Sequence, residues 1–331
     1  MKRLARIVLL LSFVIFSSFG AGAAEAGVKL VYAEVNPADS LMGQTAQAFK
    51  DKVEELSKGD IVIDIQFSGV LGAEQDVLDT IIGGGGTIDM SRIATYSLNS
   101  YGSKSLSLLS IPYTFTGREH FWKVANSDLG AKLLNEATEL GLGIKGLFYA
   151  EEGFRHFFFN SKAEDIADLA GKKIRVSNDP IMTGMVKGLK ASPTVVSFTE
   201  LYSSLSSNVV DGAEQPIVNY QSNSFYEVAP YMILDGHTLG CAEVLITESS
   251  WNKLTDAQKG FVVEAGKYAG AFNANLSAKI ENDCKAELQK AGVTFTEVKD
   301  LKAWQDACAE IISQFSKGME EDYKAILDMA R

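Results

Sequence analysis

Apolar positions along the chain follow two spacings that replace one another in turn. Residues 28–34 read as a short strand. Ala46, Phe49, Val53 and Leu56 then fall three and four apart, on one face of a helix that Gly59 stops. Ile61, Ile63, Ile65 and Phe67 alternate as a half-buried strand. Val77, Leu78 and Ile81 mark a second helix that runs into Gly83–Gly86, and residues 88–90 resume as a strand. The alternation continues through strands at 144–150, 173–176 and 193–196, which indicates an α/β fold with a largely parallel sheet.

The last third differs. Thr255 with Gln258 three positions on has the form of a capping box. From there Phe261, Ala265, Tyr268, Phe272, Leu276, Ile280, Cys284 and Leu288 keep one helical stripe to about Ala291. At 1.5 Å per residue such a helix is roughly 55 Å long, more than the width of one small domain, so it is expected to brace two lobes. A strand at 293–298 and a further helix follow.

The N-terminus carries a different signal. Lys2, Arg3 and Arg6 precede an apolar run at 7–19 broken only by three serines, and Ala21, Gly22, Ala23 and Ala24 offer a cleavage site. The run is too short to span a bilayer, so residues 1–24 are expected to be a secretory signal peptide and the mature chain periplasmic, with no membrane insertion. The 331 residues, 46% of them hydrophobic, exclude disorder and suffice for two lobes. The formal charge is −11; removing three cations and no acids with the leader makes it −14. That surface disfavours nucleic acid, and a small anionic ligand would need a local positive pocket.

Known catalytic and cofactor patterns are weak. Gly141, Gly143 and Gly146 match GxGxxG, but a helix precedes them and a strand follows, the reverse of a dinucleotide site. A glycine helix stop explains them. Gly83–Gly86 lacks the Lys-Ser/Thr of a phosphate loop. His120, His156 and His237 are far apart, and Cys241, Cys284 and Cys308 form no CxxC, so no metal or cofactor is expected. In an exported chain Cys284 and Cys308 could pair around a loop of about 25 residues, the alternative being three free buried thiols. Two arginines stand out. Arg155 opens an aromatic strand pattern, and Arg175 lies between Ile174 and Val176, pointing to the opposite face.

Gly153-Phe-Arg155, the run from Asp168 through Gly171 to Arg175, Ser197–Tyr202 and Val210–Pro216 resemble the DctP-type solute-binding proteins of TRAP transporters. Leu71-Gly72, Gly86–Met90, Ile111–Phe115, Phe225–Ala229, His237 and Trp251–Thr255 extend the resemblance over the mature chain in order and spacing. It implies a two-lobed periplasmic binding protein, closing on its ligand like a hinge and delivering it to a membrane permease. Lobe one would be 25–152 with 241–280, and lobe two 153–240 with 281–331.

The resemblance also implies that Arg175 holds a ligand carboxylate, through the two parallel hydrogen bonds that a guanidinium offers. Arg155 would be a second cation, Phe198 would line the pocket, and Gln215 stands where many members have Asn. Asn219 joins the expected ligand-binding set. Glu34 and Glu74 would accept hydrogen bonds from hydroxyls, which points to a sugar acid such as a uronate or aldonate. A C4-dicarboxylate or 2-oxo acid is the alternative; an exported hydrolase or a sensor partner of a receptor are more distant ones. The sequence departs from the family at Lys190, which replaces the usual Gly before Ala191, and at Ser206-Ser-Asn208, which replaces Gln-x-Gly. The long glycine run at 83–86 leaves the facing loop at 91–97 without an assigned contact.

Overall fold

The computed structural model describes residues 27–330; the leader expected at 1–24 lies outside them. The strands are β1 (Val28–Ala33), β2 (Ile61–Gln66), β3 (Met90–Ala94), β4 (Ile144–Phe159), β5 (Lys173–Val176), β6 (Ser192–Val195), β7 (Gly212–Pro216), β8 (Tyr231–Thr247) and β9 (Thr294–Glu297). They form one sheet in the order β2-β1-β3-β8-β4-β7-β5-β6, with β9 on β8. β1 pairs in parallel with β2 and β3, and β5 with β6 and β7. Each half is thus a parallel unit covered by helices.

The middle of the sheet departs from the largely parallel expectation. β4 and β8, 16 and 17 residues long, run antiparallel to each other through both halves. Arg155 therefore sits deep inside β4 and does not open a strand. The reason is Gly153. Its φ of +93° and the register shift between Glu151 and Phe154 form a bulge that the strand absorbs, where the sequence suggests a break.

Local signals explain the helices that matter for the cleft. Helix α1 (Leu41–Ser57) starts where the Ser40 hydroxyl accepts from the Gly43 amide at 3.0 Å, and buries Ala46, Phe49 and Val53. Lys58 and Gly59, both at positive φ, end it together. Helix α2 (Glu74–Ile82) carries Glu74 at its first turn. The long helix Asp256–Lys290 has 35 residues and the Thr255–Gln258 capping box, and it packs on both α1 and β4. A Cβ at Gly266 would come within 2.9 Å of the Phe148 ring, so only glycine permits this approach. Farther along, Asn273 accepts from the Glu151 amide at 2.8 Å and donates to the Glu151 carbonyl and Thr45. The helix is thereby tied to β4 beside the Gly153 bulge. Among the described residues no helix is long and apolar enough to cross a membrane.

Cys284 packs with Leu288 and Val293, whereas Cys308 packs in a different core cluster with Trp304. All three cysteines are free and buried, so the pairing of Cys284 with Cys308 is not formed.

Two core and turn positions carry measurable consequences. Glu243 on β8 is 1% exposed and its Oε1 has no hydrogen-bond partner. Burial, helped by Glu136, pushes its carboxyl up to about 8. A raised carboxyl stabilises the fold below the unfolded value near 4.3 and loses that contribution as pH rises to about 8, at about 1.4 kcal/mol per pH unit. Glu243→Gln is expected to melt several degrees higher than wild type at pH 9 and to lose the fall in stability between about pH 4.3 and pH 8; an unchanged slope in a calorimetric pH series refutes the assignment. Lys190 takes φ 61°, a left-handed turn that disfavours any residue with a Cβ. Lys190→Gly is expected to stabilise by roughly 0.5–1 kcal/mol in denaturant titration.

Candidate functional site

The two halves face each other across a cleft of about 180 Å³. Most of its wall comes from the carboxyl ends of strands, where parallel units present side chains to ligands. β1 leads to Val35 and Asn36, β5 to Ser177 and Asn178, and β6 to Phe198; β7 carries Gln215, and Asn219 follows in the helix Ile217–Ser222. β4, running the other way, contributes Glu152 and Arg155 from its middle.

Arg175 lies between the fully buried Ile174 and Val176 and is itself 1% exposed. Its Nε donates to the Val196 carbonyl at 2.8 Å, and its Nη1 is buried with no partner. Among the described residues no carboxylate pairs with it, and burial lowers its affinity for its proton. Arg155 differs. Its guanidinium is gripped by both oxygens of Glu214, with Nη2–Oε1 at 3.0 Å, and stands 6.0 Å over the Tyr96 ring. Glu214 also meets His237 Nε2 at 3.4 Å, and His237 Nδ1 meets Asp235 at 2.7 Å. Charges therefore alternate along Arg155, Glu214, His237 and Asp235. Against the upward push of burial, Arg155 and His237 hold Glu214 at about 2; against the downward push, Asp235 and Glu214 raise His237 to about 9. Arg155 thus reaches the cleft as a second cation whose charge Glu214 already balances.

Gln215 is 3% exposed in the cleft wall, and its side chain makes no hydrogen bond with the described residues. Asn219 is equally buried, with Oδ1 unpartnered. Phe198 lines the cleft and sets its ring edge-on to Phe225 at 5.7 Å. Glu74 also lines it, though both oxygens are engaged. Oε1 accepts from Ser97 and from the Ala94 amide at 3.3 Å, and Oε2 lies 3.4 Å from Arg92. Burial raises its carboxyl even so.

Glu34 does not line the cleft. One oxygen accepts from the Asn36 backbone and side-chain amides, and both oxygens bind Arg92, with Nη2 at 2.9 Å. It stands behind the wall and orients a residue that does line it. That residue, Arg92 on β3, was not anticipated; Glu152 and Tyr96 were not either. Arg92 faces Glu34, Glu74 and, at 3.5 Å, Glu152, and these three carboxylates outweigh burial to keep it firmly charged. Glu152 Oε1 is buried without a hydrogen bond. Arg92 and Glu152 each lie two residues past a strand that apolar spacing predicts.

The balanced row has its own signature. His237, raised to about 9, stabilises the fold below about 6.5 and ceases to do so as pH climbs through 9. Glu214→Gln leaves Arg155 and His237 short of a counter-charge, and is expected to cost about 3–5 kcal/mol. NMR titration of the imidazole is expected to show His237 falling toward its ordinary value in that variant. An unshifted titration would show that Glu214 does not hold the proton there.

Residues 32–318 match the model of the bacterial extracellular solute-binding protein family 7, DctP. The chain is 30% identical over 266 residues to the 2,3-diketo-L-gulonate-binding periplasmic protein YiaO of Escherichia coli (strain K12), covering 79% of each. It superposes with a TM-score of 0.86 on a TRAP periplasmic solute-binding protein from Xanthobacter autotrophicus Py2 with bound β-D-galacturonate, at 26% identity over 90% of this chain and 99% of that one. A TRAP periplasmic solute-binding protein from Polaromonas sp. JS666 bound to D-erythronate gives 0.86 at 27% identity, covering 91% of this chain and 98% of that one. The mixed sheet, the two halves joined by long strands and the cleft between them agree with these likenesses, and the chain belongs to the DctP family of bacterial extracellular solute-binding proteins.

Proposed function

We propose that this chain is the extracytoplasmic solute-binding subunit of a TRAP transporter. It captures a sugar acid, a uronate or aldonate, by hinge closure and passes it to a membrane permease. The observation that carries the reading is Arg175, a buried guanidinium with an unpartnered Nη1 and no paired carboxylate among the described residues. Leaving a buried cation unpaired costs several kcal/mol, and a ligand carboxylate removes that cost. In a closed, dry cleft the charge pair is also far stronger than in water.

Arg175 anchors the carboxylate, and Arg155, held by Glu214, offers the guanidinium edge that remains. Gln215 and the free Asn219 Oδ1 bind polar atoms of the ligand body, and Phe198 covers an apolar face. Glu74, Arg92 and Glu152 meet hydroxyls at the far end, while Glu34 acts only by holding Arg92. A second ligand carboxylate is disfavoured there, because three carboxylates already surround Arg92. The ligands named for the relatives above are hydroxylated monocarboxylates, which supports the same class. A hydrolytic alternative draws no support from His237 or His156. His237 is cationic between two acids, and His156, lowered by burial to about 4, accepts from the Gly236 amide through Nδ1. We place leader cleavage near residue 24, export to the periplasm, and the lobe boundaries at 152/153, 240/241 and 280/281, close to the Gly153 bulge.

The test is calorimetric titration of the mature chain with D-galacturonate, D-glucuronate, D-galactonate, succinate and pyruvate. Wild type is expected to bind one or more of the sugar acids. Arg175→Ala is expected to lose about 2–5 kcal/mol, roughly 30- to several thousand-fold in affinity. Binding of succinate or pyruvate alone would refute the hydroxyl-recognising role, and equal binding by Arg175→Ala would refute the clamp.

A further inference from the structure

Among the side-chain pairs that join the two halves outside the ligand-facing wall, one lies directly beside the cleft. The 3₁₀ segment Thr95–Tyr101 leaves β3 in the first half, and Asp179 follows β5 in the second. Asn99 Nδ2 donates to Asp179 Oδ2 at 2.6 Å. One turn earlier in the same segment, the Tyr96 hydroxyl meets Ser177 Oγ at 3.2 Å, and Tyr96 and Ser177 both line the cleft. Asn99 and Asp179 do not line it.

Asp179 is rigidly placed for this contact. Its Oδ1 caps the helix Pro180–Gly188 by accepting from the Met182 amide at 2.9 Å, which leaves Oδ2 for Asn99. Only 2% of it is exposed. The contact also carries an opposing cost. Asn99 Oδ1 is buried there without a partner, so closing the halves gains one charge-assisted hydrogen bond and strips another polar atom of its water. Burial pushes the Asp179 carboxyl up to about 6, against the hydrogen bonds it accepts. A contact with such mixed terms holds the halves weakly by itself and adds its part once a ligand has drawn them together.

We propose that Asn99 and Asp179 are positioning residues that latch the closed cleft and set how long a bound acid is retained. This rests on the reading of the chain as a hinge-closing binding protein. The bond exists only when the halves meet. Its loss therefore speeds release and leaves encounter with the open form unchanged.

The experiment is stopped-flow binding, using whichever acid of the panel above binds wild type most tightly. Asn99→Asp sets two carboxylates face to face and is expected to raise the dissociation rate more than tenfold, with the association rate within twofold. Asn99→Ala is expected to give a smaller rise of the same kind. The exchange Asn99→Asp with Asp179→Asn keeps a helix-capping residue at 179 and rebuilds an amide–carboxylate bond of reversed polarity. It is expected to return the dissociation rate to within about threefold of wild type. Melting of the ligand-free single variants at 99 is expected to match wild type, which a general packing role would not allow. Dissociation within twofold of wild type for Asn99→Asp, or an exchange variant no slower to release than Asn99→Asp, would overturn the latch alone. A panel in which wild type binds no acid would overturn the binding reading and the latch with it.

Discussion

Removing a guanidinium from water without giving it an anion is one of the least favourable things a fold can do, and the second half of this protein is arranged around that act. Ile174 and Val176 seal Arg175 into β5, the Val196 carbonyl takes one of its donors, and Nη1 is left without an acceptor. A neighbouring acid would have relieved the strain and closed the site. The chain puts its acids elsewhere. Glu214 is committed to Arg155 and His237, and Glu34, Glu74 and Glu152 are gathered on Arg92. Under the proposed function, the free energy kept in reserve at that atom is what an incoming carboxylate would draw on.

The remaining cleft groups make sense beside that one. Two arginines with carboxylate partners share the cleft with one that has none among the described residues. The residues behind the wall matter as much as those in it. Glu34 fixes Arg92, and the row Glu214, His237 and Asp235 fixes Arg155. Such supporting contacts hold long, flexible cations in one rotamer before any ligand arrives, which lowers the ordering entropy that binding would otherwise demand.

Much of this was legible in the chain. Helix α1, the strands at 61–66 and 173–176, and the long helix followed directly from apolar spacing, because each has one buried face of regular period. Arg175 could be picked out because its two neighbours in an alternating strand are apolar. The long strands β4 and β8 could not be read in full. Gly153 and Gly236, both at positive φ, look like turns, and only tertiary pairing shows that the strands carry on through them. Glu34 was placed in the right neighbourhood but on the wrong side of the wall, since sequence gives the position of a side chain and not its partner. Arg92 escaped for a related reason. It follows the glycine run at 83–86, and its value lies in three acids that are distant along the chain. Lys190 and Asn208, the departures from the resemblance, both occupy left-handed turns, the conformation that glycine adopts most easily.

The sheet's two long strands and the 35-residue helix pass between the halves, and neither half is a continuous stretch of polypeptide. The boundary between them is therefore spatial and not genetic. A gene cut at any single point yields two fragments, at least one of which lacks strands that its sheet needs. The molecule can bend where its backbone is bulged, but it cannot be shortened to one lobe or assembled by joining two independent modules.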